Sequence, residues 1–335
     1  MSYKRVVITE FGGPEVLKVV KEPTLPEPEA GQARIKVQAA SAAFTDVMVR
    51  KGIYTGLKEK PPFPPGYDFV SVVDKLDPGA NTLKVGKMAA DLTVFGAYSE
   101  YIVRLAISLV PVLDGLDSAE AVSLVLSYVT AYQMLHRLGK VQRGDRILVH
   151  GGGGAVGSAL LQLGQLLDLE MYATSSKSKH GLVTSLGGIP IDYKSEDFVE
   201  RVLSVGGVDV VFDPIGGDYY KRSFQTLKKS GMLVAYGFYN NALGRGGNVP
   251  LEYMSIVLWD ILPNGCKSAF YSIGSLRKKR PDWFKEDLTE LFNLLAEGKI
   301  KPVIEKRMKL DQAAKAHELI EQAAVKGRLV FEVGN

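Results

Sequence analysis

The chain has 335 residues, 46% of them hydrophobic and 23% charged, with a formal net charge of +4 at pH 7. That length favours two domains over a single core, and so small a positive excess gives no reason to expect a nucleic-acid partner. The only cysteine, Cys266, excludes an internal disulfide framework and any cysteine-rich zinc site.

The N-terminal MSYKRVVITEFGG is strand-like and has no signal-peptide apolar run, so the cytoplasm is the expected location. From Tyr3 to about Val112, β-rich runs (Arg5–Thr9, Ala33–Ala39, Phe69–Asp74, Lys87–Leu92, Glu100–Val103) alternate with turns such as Pro61-Pro62-Phe63-Pro64-Pro65-Gly66 and Asp77-Pro78-Gly79. This punctuation predicts an antiparallel β domain of barrel-like character. The apolar stretch Ala119–Leu135 is interrupted by Glu120, Ser123, Ser127, Thr130 and Gln133, and reads as a buried helix, not a membrane span. From about Ser118, helices and strands alternate, which predicts a doubly wound parallel sheet. Its strands are Arg146–His150, Glu170–Thr174, Ile189–Asp192, Val208–Phe212, Gly231–Tyr236 and Lys267–Ser272. Arg277-Lys278-Lys279-Arg280 reads as a solvated surface loop. Helices Asp282–Glu297 and Leu310–Ala324 and a strand Arg328–Val333 close the chain.

The segment RILVHGGGGAVG (Arg146–Gly157) carries the clearest chemistry. A strand runs into Gly152-x-Gly154-x-x-Gly157, and Ala155–Leu167 follows as an amphipathic helix. Glycines allow a pyrophosphate close to the backbone, and the N–H groups of Gly154, Ala155 and Val156 at the helix start face its charge. A glycine-rich turn without a ligand is the competing reading. About 20 residues on, an NAD site carries Asp or Glu for the ribose hydroxyls. Here stand Ser175, Ser176, Lys177, Ser178 and Lys179, hydroxyls and ammonium groups that suit a 2′-phosphate, so NADPH is the expected coenzyme. The histidines are scattered, and His150, at a strand end, reads as structural.

Several segments carry a resemblance. FGGPEVL (Phe11–Leu17), FTDVMVRKGIY (Phe44–Tyr54), PPFPPGYDFVSVV (Pro61–Val73), the glycine loop and FDPIGG (Phe212–Gly217) resemble those of the zinc-free medium-chain dehydrogenase/reductases, within them the quinone oxidoreductases. TSSKSKH (Thr174–His180), PIDY (Pro190–Tyr193) and AYGF (Ala235–Phe238) are similar to the branch of the vesicle amine transport protein homologue. The resemblance implies a GroES-like β-rich catalytic domain (1–125 and 273–335), a Rossmann NADPH-binding domain (126–272), and a cleft between them. It further implies a homodimer paired through the last Rossmann strand, and metal-free hydride transfer to a quinone or α,β-unsaturated carbonyl compound.

Zinc-using relatives place a cysteine before a Thr/Ser-Asp pair and a Gly-His-Glu triplet further on. The corresponding residues here are Ala43 and Gly66-Tyr67-Asp68, which lack soft or imidazole ligands. By the same resemblance, Tyr54 is the leading polar donor to substrate, or else an aromatic packed under the proline loop. Thr45 and Asp46 occupy the Thr/Ser-Asp position, with Asp46 either catalytic or holding backbone N–H groups. Thr130 meets the nicotinamide carboxamide. Ser175, Ser176 and Lys179 face the adenosine phosphate, which Tyr193 covers unless it is a core residue. Tyr236, Gly237, Phe238 and the loop Asn240–Asn248 lie at a strand's carboxyl end, as lid or disordered turn, and Phe270 and Tyr271 close the nicotinamide pocket. Many quinone oxidoreductases carry asparagine where Ala43 stands. That departure keeps open a second reading, a non-catalytic NADPH-binding protein of crystallin-like, vesicle-associated or RNA-associated type.

Overall fold

In the computed structural model, residues 1–80 and 83–334 are described. The strands, in chain order, are β1 (Tyr3–Ile8), β2 (Leu17–Glu22), β3 (Gln32–Ala42), β4 (Asp68–Leu76), β5 (Met88–Leu92), β6 (Tyr101–Leu105), β7 (Val110–Pro111), β8 (Arg146–His150), β9 (Glu170–Ser175), β10 (Gly188–Asp192), β11 (Val208–Asp213), β12 (Leu227–Ala235), β13 (Lys267–Phe270), β14 (Ile304–Lys309) and β15 (Arg328–Glu332). They divide between two compact units, residues 1–126 with 285–335 and residues 127–284.

The first unit is built on β3, which alternates buried and half-buried residues as a strand with one face in a core must. Ile35, Val37, Phe69, Val73, Tyr98, Leu329 and Phe331 fill that core. The sheet runs β14-β15-β3-β4-β5-β7, with β6 also on β3 and only β14–β15 parallel. β3 is long enough to pair residues 32–36 with β6 and residues 39–42 with β15 along one edge. The C-terminal strand therefore completes the N-terminal sheet. β1 and β2 form a separate antiparallel hairpin.

The second unit holds a six-stranded sheet in the order β10-β9-β8-β11-β12-β13, parallel throughout. The chain winds outward from β8 through β9 to β10, then returns to β11 and winds the other way. The direction reverses between β8 and β11, and ligands of such sheets bind outside the carboxyl ends at that reversal. The apolar stretch 119–135 is helical, wound as α-helix over Ser118–Ser123 and Val129–Tyr132 and with wider π-type turns over Leu124–Tyr128 and Gln133–Leu138.

Three expectations shift. The strand placed at Lys267–Ser272 stops at Phe270, because Ser272 caps a helix Ile273–Lys279 by accepting from Ser275 N–H. The basic cluster is thus a helix end, with Arg277 over the Phe284 ring and Arg280 over Trp283. Residues 273–284 group with the second unit, where Arg137 lies over the Trp283 ring at 4.6 Å, whereas the sequence suggests a boundary at 272.

Candidate functional site

The glycine loop has the geometry its sequence implies. A Cβ on Gly157 would collide with the carbonyl of Gly151, and one on Gly152 would stand 2.7 Å from the Ala173 methyl, so neither tolerates a side chain. Gly154 precedes the helix Ala155–Gln165, whose first-turn N–H groups have no intrahelical acceptor. The loop is pinned from β9, where Thr174 O accepts from Gly152 N at 3.0 Å. Lys179 lies directly over it: a Cβ on Gly153 would meet Lys179 Cδ at 2.7 Å. Beside it the buried Ser175 Oγ has no hydrogen-bond partner. Ser176 and Ser178 share a hydroxyl–hydroxyl bond of 3.1 Å in the turn that carries Lys179. An apolar-walled glycine loop, a buried orphan hydroxyl and the aliphatic stem of a lysine thus lie together at the carboxyl end of β9.

At the carboxyl ends of β11, β12 and β13, Tyr236 N donates to Asp213 O at 2.9 Å. Burial, then the Asp213 charge, pushes the Tyr236 phenol well above its usual range. The Gly237 carbonyl accepts from the Tyr220 hydroxyl. Phe238 and Phe270 stack with centroids 4.9 Å apart. Tyr193 is 46% exposed, so it is no core residue. Tyr271 is buried and its hydroxyl donates to Gln133 Oε1 at 2.8 Å, so it braces the helical segment after 127. Thr130 sits buried in that segment. The loop 240–248 is held in place: Asn240 N donates to Ile215 O at 2.9 Å and Asn248 caps the helix Val249–Ile261. Glu252 of that helix accepts from Gly217 N at 2.8 Å, a tie between helix and loop that no local pattern announces.

In the first unit, Thr45, Asp46 and Tyr54 cluster around the helix Phe44–Arg50. Asp46 Oδ2 accepts from Ala43 N at 2.8 Å, so the carboxyl caps its own helix. Burial pushes its pKa up to about 7, aided by Asp68 and opposed by the Ala43 N–H and Arg328. Thr45 Oγ1 is buried without a partner. The Tyr54 hydroxyl lies 2.6 Å from that of Tyr67, with the rings edge to face at 6.0 Å. Burial raises the Tyr54 phenol while the Tyr67 hydrogen bond draws it down. Tyr67 is the site residue that sequence reasoning passed over. Gly66 sets it in place, since its φ of +109° and the backbone of Tyr98, 2.5 Å from any Cβ there, admit only glycine. Asp68 is tied up structurally, bonded to the Ser41 hydroxyl and paired with Arg328 at 2.7 Å.

Residues 29–114 match the alcohol dehydrogenase GroES-like domain, and residues 188–331 the zinc-binding dehydrogenase family model. The chain is 28% identical over 341 residues to the synaptic vesicle membrane protein VAT-1 homolog of Danio rerio, covering 98% of this chain and 70% of the relative. The quinone oxidoreductase from Coxiella burnetii matches with a TM-score of 0.83 at 30% identity, covering 100% of both chains. Escherichia coli quinone oxidoreductase complexed with NADPH matches with a TM-score of 0.87 at 25% identity, covering 98% of this chain and 99% of that one. The residues present do not fit a zinc centre. Ala43 offers no ligand atom, Asp68 is engaged by Arg328, and among the described residues no group of three or more His, Cys, Asp or Glu could hold a metal ion. No helix among the described residues is long and apolar enough to cross a membrane.

Proposed function

Because the chain belongs to the quinone oxidoreductase family of the medium-chain dehydrogenase/reductases, we propose that it is an NADPH-dependent reductase of quinones or α,β-unsaturated carbonyl compounds. The observation that carries this reading is Lys179 folded over Gly153 beside the orphan Ser175 hydroxyl. The N–H groups of Gly154, Ala155 and Val156 hold the pyrophosphate between Gly152 and Gly157. Ser175, Ser176 and Lys179 hold the 2′-phosphate, with Tyr193 beside them. Thr130, Tyr236, Gly237, Phe238 and Phe270 shape the nicotinamide end, and Tyr271 supports it. Bound NADPH supplies a hydride to an electron-poor carbon.

Tyr54 is the donor we assign to the acceptor's oxygen, with Tyr67 sharing the charge that forms on its phenol. Thr45 and Asp46 support that corner of the first unit, and Asp46 is largely protonated below pH 7. Quinones and enones are electrophilic enough to accept hydride with such modest assistance. The deciding experiment measures NADPH oxidation against a panel of both classes, beside titrations with NADPH and NADH. Tight NADPH binding with no turnover of any acceptor would favour the non-catalytic reading, which Ala43 supports.

We further propose a homodimer formed through the open edge of β13 and the adjoining helix Val249–Ile261. That helix exposes Leu251, Met254, Val257, Leu258 and Ile261, an apolar face unlike that of an ordinary solvated helix. An end strand with unpaired backbone groups and a neighbouring apolar face suit a two-fold partner.

A further inference from the structure

Four side chains link the carboxyl ends of β9, β8 and β11 at the reversal point of the sheet. Thr174 Oγ1 lies 3.0 Å from His150 Nδ1, and His150 Nε2 lies 3.0 Å from Ser223 Oγ. Ser223 Oγ donates to Asp213 Oδ2 at 2.6 Å. All four are buried. His150 Nε2 is 3.9 Å from Asp213 Oδ2, too far for a direct bond, so Ser223 is the bridge.

The direction of the chain follows from what each group can do. The Asp213 carboxylate only accepts, from Ile215 N at 2.7 Å on one oxygen and from the Ser223 hydroxyl on the other. Ser223 has one proton and gives it to Asp213, so its oxygen accepts from His150. The ring hydrogen therefore sits on Nε2, and Nδ1 accepts from the Thr174 hydroxyl. A lone pair of Thr174 Oγ1 then remains for Gly151 N–H at 3.3 Å. Burial holds the His150 pKa below the usual histidine range, which keeps the ring neutral and this pattern intact.

Both ends of the chain are backbone turns. At one, Thr174 meets Gly151 N through its hydroxyl and Gly152 N through its carbonyl. At the other, Asp213 holds Ile215 N through its side chain and Tyr236 N through its carbonyl. We infer that His150 is a positioning residue for the coenzyme, fixing the glycine loop relative to the turns after β11 and β12 through one directed hydrogen-bond chain. The inference rests on the proposed dinucleotide reading of the same loops. Those turns face what NADPH and NADH have in common, so loss of His150 weakens both, unlike loss of Lys179.

The test is calorimetric titration of both coenzymes into His150→Phe, Thr174→Val and their double variant. Phenylalanine keeps the ring that packs edge-on against Phe198 at 4.6 Å while deleting both nitrogens. The expected result is about tenfold weaker binding of NADPH and NADH alike in each single variant. The double variant should lose little more, because the groups act as a unit. Phe198→Leu, which touches the same ring outside the chain, should lower Tm and leave Kd unchanged. Unchanged Kd in His150→Phe, or an equal loss in Phe198→Leu, overturns the inference. If His150→Phe does not fold, Ser223→Ala is read in its place against the same expectations. Nitrogen-15 NMR of the unmodified protein should show the His150 Nε2–H tautomer, and an Nδ1–H tautomer equally refutes the directed chain. Unmodified protein that binds neither coenzyme sinks the dinucleotide reading itself, whereas normal binding with indifferent variants sinks only the role of His150.

Discussion

Lys179→Ala separates the two coenzymes. Its ammonium group attracts the 2′-phosphate that NADPH alone carries, so NADPH binding should weaken about tenfold, far more than NADH binding, read by fluorescence titration. Equal weakening would place the lysine elsewhere. Tyr54→Phe should lower kcat about tenfold or more with little change in the KM for NADPH, and Tyr67→Phe should follow it in part. Asp46 bears on stability. Its folded-state pKa of about 7 lies above its ordinary 3.8, so the folded protein keeps a proton that the unfolded chain releases between those values. Stability from this group is therefore fully present below pH 4 and lost as pH rises towards 7. Asp46→Asn retains an acceptor for Ala43 N–H and should flatten part of that slope in urea denaturation at stepped pH, with Asp68, also raised by burial, supplying the remainder. The glycine loop was legible because its constraint is local, a backbone that no side chain could approach. Tyr67 was not, since its hydroxyl finds Tyr54 only after the chain between them has folded.

Among elements, those with a clear period were read within a few residues. β8 and the helix after the glycine loop follow from an apolar run and an amphipathic repeat. The helix Val249–Ile261 escaped, because VPLEYMSIVLWDI has apolar residues on every side and so no periodicity to detect. Its signals were terminal ones, Asn248 as cap and Pro250 in the first turn. If that uncovered face is a subunit contact, Leu258→Glu should convert the dimer to monomer in sedimentation velocity, and an unchanged sedimentation coefficient would rule the contact out. β14 also escaped, since IEKRMK is mostly charged and exposed and owes its strand to β15 beside it. β15 itself carries the buried Arg328, paired with Asp68 of β4. Arg328→Ala leaves that carboxylate without its partner and should cost about 3–5 kcal/mol in chemical denaturation.

For the whole molecule, the switch from proline-punctuated strands to alternating helices and strands near residue 118 made the two-part architecture readable. The later boundary falls at 284 and not 272, with Arg137 of the second unit stacked on Trp283, a contact between sequence-distant side chains that composition does not encode. NADPH at a hundred times its Kd should add about 2.7 kcal/mol of stability to the native protein. Thermal melts should register that as a rise in Tm that NADH at the same concentration does not match.

The insertion of β15 between β14 and β3 governs how the polypeptide is made. During synthesis residues 1–126 precede the rest of their own unit, yet their sheet must wait with an unpaired margin until residues 304–332 have been made. The second unit, contiguous from 127 to 284, has every strand of its sheet beforehand and can mature while the first is unfinished. Nascent chains arrested shortly before Arg328 should accordingly show protease resistance in that half alone.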